Sequence, residues 1–159
     1  MTDRITVELV DHATIKLRNI PEDMRRRLRV AVVRDTKELA ALVRGKLSGT
    51  VLHVRSGRLL KSIKSEMVEN ANTVYGRVYS SGVPYAAIHE YGGRTKPHLI
   101  LPRNAKALHF MVGGKDVFAA RVNHPGSKIP QRSYLRSSLA EIREKVVFDL
   151  QEAAKVRWS

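Results

Sequence analysis

The stretch Lys64-Ser65-Glu66-Met67-Val68-Glu69-Asn70-Ala71-Asn72-Thr73-Val74-Tyr75-Gly76-Arg77-Val78-Tyr79 decides the fold class. Residues 64–68 and 74–79 read as two strands, and the polar run 69–73 between them reads as a hairpin turn. The two strands therefore pair antiparallel. Ser80-Ser81-Gly82 ends the second strand.

Upstream, Ile5-Thr6-Val7-Glu8-Leu9-Val10 alternates apolar and polar residues as a half-buried strand does. Residues 13–18 continue it or return it. Pro21 suits the first turn of a helix, and Glu22 and Asp23 complement the positive end of its dipole. Met24, Leu28, Ala31, Val32, Leu39, Leu42 and Val43 then share roughly a third of the helical wheel. Arg25, Arg26, Arg27, Arg29, Arg34 and Lys37 lie mostly outside that stripe. The pattern predicts a long helix over 21–47, stopping near Gly45 and Gly49. Asp35 falls inside the stripe, which leaves two roles open: a paired polar contact at the core edge, or a contact with another subunit.

Ser56-Gly57 reads as a cap before a short helix over 58–63. Downstream of the hairpin, Pro84 opens a second short helix that runs to Tyr91 and is broken by Gly92-Gly93. Residues 94–106 are basic and irregular, with prolines at 97 and 102. Residues 107–112 and 117–122, joined through Gly113-Gly114-Lys115-Asp116, read as a second hairpin. Residues 123–132 read as a loop. Ser133 caps a last helix whose stripe is Leu135, Leu139, Ile142, Val146, Leu150 and Ala153. Phe148 falls on the opposite face, as a lone exposed aromatic or as a site for a protein partner.

This order predicts an α+β fold: an antiparallel sheet built from hairpins, packed by a long helix in the N-terminal half and a long C-terminal helix. The 159 residues make one domain. Its parts are an N-terminal strand or arm (1–20), the long helix (21–47), a sheet with short helices and basic loops (54–132) and the C-terminal helix (133–158).

The chain holds 29 Lys+Arg against 15 Asp+Glu, a formal net charge of +14. Residues 71–140 carry 10 basic side chains and only two acids, Glu90 and Asp116. Such a surface attracts polyanions. It serves solubility with counterions, or contact with nucleic acid through Arg94, Lys96, Arg103, Lys106, Arg121, Lys128 and Arg132. No segment pairs a basic face with the Trp/Phe/Leu face of an interfacial helix, and no apolar run approaches the ~18 residues of a membrane span. Met1-Thr2-Asp3-Arg4 has no apolar core behind it, so a secretory signal is not expected.

Catalytic patterns are incomplete. There is no cysteine, which excludes a thiolate zinc site and a cysteine nucleophile. His89-Glu90 begins like a zinc-protease helix, but Gly93 stands where the second histidine belongs. His98, His109 and His124 have no metal-ligand spacing. Gly113-Gly114-Lys115 lacks the preceding glycine of a phosphate loop, and Asp116 replaces its hydroxyl residue. The expectation is a protein without enzymatic activity, cofactor or metal.

Three segments, taken in order, carry a family resemblance. They are Val54-Arg55-Ser56-Gly57-Arg58-Leu59-Leu60-Lys61-Ser62-Ile63, then Val83-Pro84-Tyr85-Ala86-Ala87-Ile88-His89-Glu90-Tyr91-Gly92-Gly93, then Ile129-Pro130-Gln131-Arg132-Ser133-Tyr134-Leu135-Arg136-Ser137-Ser138-Leu139. The series resembles the tail-completion and minor tail proteins of tailed bacteriophages over about 54–140. Tyr91-Gly92 replaces the usual Phe-Gly. The resemblance implies a virion component that forms a ring, sixfold in the particle, at the head-proximal end of the tail. Its partners would be copies of itself, the tail tube and neck proteins, and incidentally genomic DNA, with assembly in the host cytoplasm. A non-specific nucleic-acid-binding protein is the alternative. The motif residues also have physical roles of their own. Tyr85, Ile88 and Tyr91 share a helix face, Gly92 allows a left-handed helix end, and Pro130, Ser133 and Leu135 set the start of the last helix.

Overall fold

The computed structural model of the chain describes residues 15–16 and 20–155. The strand expected over 5–10 lies outside the described residues. In order, the elements are β1 (Ile15–Lys16), α1 (Glu22–Gly45) with a π-helical turn (Lys46–Thr50), α2 (Arg58–Lys61), β2 (Ile63–Glu69) and β3 (Thr73–Ser80). Then follow α3 (Ala86–Tyr91), six short strands, and α4 (Leu135–Ala153). The short strands are β4 (Gly93–Arg94), β5 (His98–Ile100), β6 (Leu108–Val112), β7 (Lys115–Ala119), β8 (Val122–His124) and β9 (Lys128–Ile129). The class is α+β, with two long helices and antiparallel strands.

The hairpin of β2 and β3 forms as the sequence reads, with Ile63 opposite Ser80 and Glu69 opposite Val74. Asn70 closes its turn: the side-chain oxygen accepts from the Asn72 and Thr73 amides at 3.0 and 2.9 Å. β1 adds to the outer edge of β3, giving the order β1-β3-β2. α1 lies across this sheet and α4 packs along α1. The core between them holds Val43, Leu47, Ile63, Val78, Tyr134 and Leu135, with a second cluster of Leu28, Val32 and Val74. Polar ties reinforce the layers. Arg29 grips both oxygens of Glu69 at 2.8 and 2.7 Å, joining α1 to β2. Arg27 donates to the carbonyls of Ala153 and Lys155 at 3.1 and 3.0 Å, so a side chain of α1 caps the C-terminal end of α4.

The second hairpin does not join that sheet. Residues 93–129 form a single long β-arm. Gly93 pairs with Ile129 and Arg94 with Lys128, and the same register resumes with His98 opposite His124 and Ile100 opposite Val122. Leu108 then pairs with Ala119, so the outgoing strand advances eight residues while the returning one covers three. The outgoing strand thus carries a five-residue bulge within 101–107. The regions read as loops over 94–106 and 123–132 are therefore largely the two sides of this arm. Pro97 and Pro102 interrupt the ladder, because proline has no amide hydrogen to give it, and this hides the strands from a periodicity reading. At the tip, Gly113 and Gly114 take φ of 58° and 80°, the left-handed pair that a tight two-residue hairpin turn requires.

Gly76 marks a close approach of sheet and helix: a Cβ there would lie 1.7 Å from Thr36 Oγ1. Gly76→Ala must push α1 off β3. The expected outcome is a loss of about 1–3 kcal/mol of stability, read as a lower urea midpoint. An unchanged midpoint would show that the two layers are free to separate.

Candidate functional site

The three segments of the resemblance meet in space, and a single carboxylate joins two of them. Glu90, near the end of α3, is 0% exposed. Its Oε2 accepts the backbone amides of Tyr134 and Leu135 at 2.8 and 2.9 Å. Its Oε1 accepts the Arg136 amide at 3.0 Å, the Ser133 hydroxyl at 2.6 Å and Arg136 Nε at 3.2 Å. These are the free amides of the first turn of α4, at the positive end of its dipole, and a carboxylate is their strongest acceptor. Burial is the largest influence on Glu90 and pushes its pKa up; the bonds from Ser133, Leu135, Arg136 and Tyr134 together outweigh it and hold it below the usual value.

This changes the part expected of Ser133. α4 starts at Leu135, and its first amides are capped from α3 rather than by the residue before the helix. The Ser133 hydroxyl orients Glu90 and accepts the Ser137 amide at 3.2 Å. Glu90 itself carried no structural role in the sequence reading. The available signal was an isolated acid in a basic segment, next to a helix end.

Other motif residues complete the joint. The Arg132 amide donates to the His89 carbonyl at 2.8 Å. Gly92 takes the positive φ expected of it, 72°, with ψ at 179° rather than at a left-handed helical value, and a Cβ there would stand 2.9 Å from the Gln131 nitrogen. Tyr134 is fully buried and its hydroxyl reaches the Ala86 carbonyl at 3.3 Å. Leu135 is buried in the core, while Pro130 is exposed. On α3 the buried side chains are Ala86 and Glu90. Of the residues expected to share a packing face, Ile88 is half-buried, and Tyr85 and Tyr91 are exposed. Tyr91 lies under the Arg136 guanidinium at 4.6 Å, and Tyr85 meets the His89 ring edge-on at 5.9 Å.

A cavity of about 460 Å³ opens beside the joint. Val54, Ser56 and Arg58 line it from the first segment, Tyr85 and His89 from the second, and Arg132 from the third. Burial, with the charge of Arg132, holds the His89 imidazole below its usual pKa. Arg94 and Lys128 face each other across β4 and β9, and Lys96, Arg103, Lys106 and Arg121 stand on the same arm, all exposed. The two acids of this segment are engaged elsewhere: Glu90 in the joint and Asp116 with His109 at 2.7 Å. These six cations, with Lys115 at the tip, thus form one projecting basic element, with Arg132 at its base. Among the described residues, no group of histidines and carboxylates converges as a metal site.

Asp35 is buried in α1, where its Oδ1 accepts Arg34 Nε at 3.1 Å. Burial raises its pKa and Arg34 partly offsets this. Arg34 also reaches Asp149 on α4 at 2.7 Å, so the Asp35 cluster binds the two long helices to each other. Phe148 is 59% exposed on the outer side of α4.

The chain matches no family model, no curated protein and no solved structure.

Glu90→Gln places an amide hydrogen-bond donor among amide donors and removes the charge. The expected cost is about 3 kcal/mol at pH 7. The folded pKa of Glu90 lies below its unfolded value, so its contribution is present above that unfolded value and is lost as pH falls through the folded one. Urea unfolding from pH 7 down to pH 3 is therefore expected to bring wild type and variant together on the acid side. A gap that stays constant across this range would mean that the charge of Glu90 is not what holds α4.

Proposed function

We propose that the protein is a structural component of a tailed phage or prophage virion, forming a ring at the head-proximal end of the tail and mediating tail completion and head–tail joining. The observation that carries this reading is the convergence of the three segments. They are far apart in the chain, yet they line one cavity and two of them are locked together by Glu90. The features shared with tail-completion and minor tail proteins thus belong to one structural unit, and the basic arm leaves and re-enters the body at that unit. The work assigned to it is assembly. Copies join head to tail and close when the rotation permits. Sixfold closure follows from the resemblance alone. The partners are the tail tube and neck proteins, and the site of action is the virion neck or tail after assembly in the host cytoplasm.

A second reading, a non-specific nucleic-acid-binding protein, draws on the projecting cations of the arm. They stand on a ribbon with no recognition helix, an arrangement suited to phosphates and not to bases. The two readings are compatible if the ring surrounds a channel for the genome.

Removing the protein from the particle-producing cell separates them. Tail joining is expected to fail, leaving unjoined heads and tails by electron microscopy. Normal particles that never contained the protein would sink the virion reading. The free chain is expected to sediment as a monomer or a weak oligomer at micromolar concentration. It should bind duplex DNA without sequence preference, with a Kd on the order of 10⁻⁴ to 10⁻⁶ M at physiological salt and an affinity that falls steeply as salt rises. Arg103→Glu with Lys106→Glu weakens that binding. If the pair leaves DNA affinity unchanged but blocks joining, these cations serve protein contacts instead.

A further inference from the structure

Arginines of the body meet acids: Arg27 pairs with Asp23, Arg29 with Glu69, and Arg34 with Asp35 and Asp149. The cavity beside the Glu90 joint breaks that pattern. Arg55, Arg58 and Arg132 line it together with His53 and His89, and among the described residues no carboxylate does. Nor does any of the three guanidiniums meet a carboxylate elsewhere among those residues. Another cleft, of about 440 Å³ between α1, β3 and α4, is lined by Asp35 as well as Arg143 and shows no such excess of one sign.

The backbone gathers these cations from distant parts of the chain. Gly57, at φ 69°, turns the chain between Arg55 and Arg58 in a left-handed conformation that suits glycine. Arg132 comes from the segment before α4, and its amide is fixed on the His89 carbonyl at 2.8 Å. The rest of the wall is largely apolar, with Leu47 and Leu52 buried and Leu60 half-buried, beside Tyr85. The volume, about 460 Å³, lies within the ~300–1,000 Å³ range of small-ligand sites.

We propose that this cavity binds a phosphate group, with Arg55, Arg58 and Arg132 as its counter-charge and the apolar wall against the moiety that bears it. A guanidinium donates in a planar fork that matches the oxygens of a carboxylate or a phosphate. One carboxylate brings a single charge. A phosphomonoester brings about −1.5 to −2 and three strong acceptor oxygens, so it answers three guanidiniums more fully. Like charges gathered on one wall attract such an anion and are relieved when it enters. The bearer is a free phosphate ester or the phosphorylated end of a DNA strand. The inference goes beyond the ring reading and stands or falls on the free chain, without any particle.

Inorganic pyrophosphate tests the site on the full-length chain, at an ionic strength held constant with NaCl. Calorimetry is expected to give one site per chain with a Kd of about 1 mM or tighter. Arg55→Gln and Arg132→Gln are each expected to weaken it about tenfold. Both side chains are exposed, and circular dichroism checks that the variants remain folded. Arg103→Glu with Lys106→Glu, on the arm, should leave it unchanged. His89 reports the location. Burial and the charge of Arg132 hold its imidazole below the usual pKa, and an anion beside Arg132 opposes that charge. Its titration midpoint by NMR is therefore expected to rise in pyrophosphate. A deoxynucleoside monophosphate, and one DNA duplex with and without terminal phosphates, identify the bearer. Tighter binding of the phosphorylated duplex, lost in Arg132→Gln, assigns the DNA end. Binding of the monophosphate, with no difference between the duplexes, assigns a free ester. The absence of saturable pyrophosphate binding overturns the proposal. So does binding that survives Arg55→Gln and Arg132→Gln, binding that the arm substitutions abolish, or tighter binding of citrate. Binding that appears only after Asp3→Asn, Glu8→Gln and Asp11→Asn would assign the cavity to the chain's own acids, and overturns it equally.

Discussion

A carboxylate with no solvent exposure is tolerable only where donors replace water. Glu90 meets that demand with five of them: three backbone amides, a hydroxyl and a guanidinium nitrogen, all from 133–136. The requirement is mutual, because the first turn of α4 has amides that its own chain cannot satisfy. Removing either side leaves the other buried and unpaired, so α3 and the start of α4 stand or fall together. The rest of the structure hangs from this joint. It sets where α4 begins, and thus which of its residues meet α1. It also holds Gly93 and Ile129 side by side, from which the arm projects.

The charge of the protein divides along the same line. Arginines of α1 are engaged within the body: Arg27 at the end of α4, Arg29 on Glu69, Arg34 on Asp35 and Asp149. Lys46 and Lys145 likewise meet Glu141 and Glu38. The arm cations project to solvent, and the acids of their segment are occupied by other work. A net charge of +14 spread over the chain thus becomes a body tied by internal ion pairs and a basic extension. Exposed pairs of this kind add little stability each, but those that join α1, β2 and α4 fix the relative placement of the layers.

The arm and the α1–α4 cleft differ in how far they cover their apolar residues. In the cleft Val78 and Ile142 are buried, whereas Val112 at the arm tip is 58% exposed. A body that is rigid at the joint and an arm that packs mainly on itself suit an assembly in which a fixed platform reaches a neighbour. The arm is apolar at its tip and basic nearer the body.

What was legible in the sequence was local. The alternation and the Asn70 turn in 64–79 specified a hairpin, and the apolar stripes of 24–43 and 135–150 specified two helices, because strand and helix periodicity is written in residues two to four apart. The motif residues of 83–93 and 129–139 were visible as two separate segments. What the tertiary structure alone decided was every pairing across distance. Glu90 caps amides 44 to 46 positions away, and Gly93 pairs with Ile129 across the whole arm. The hairpin at the tip of that arm was legible, but its strands nearer the body are two or three residues long, broken by prolines, and too short to show alternation. Periodicity records which side of an element is apolar. It does not record which distant donor will answer a buried carboxylate, since that depends on where the folded layers bring the two together.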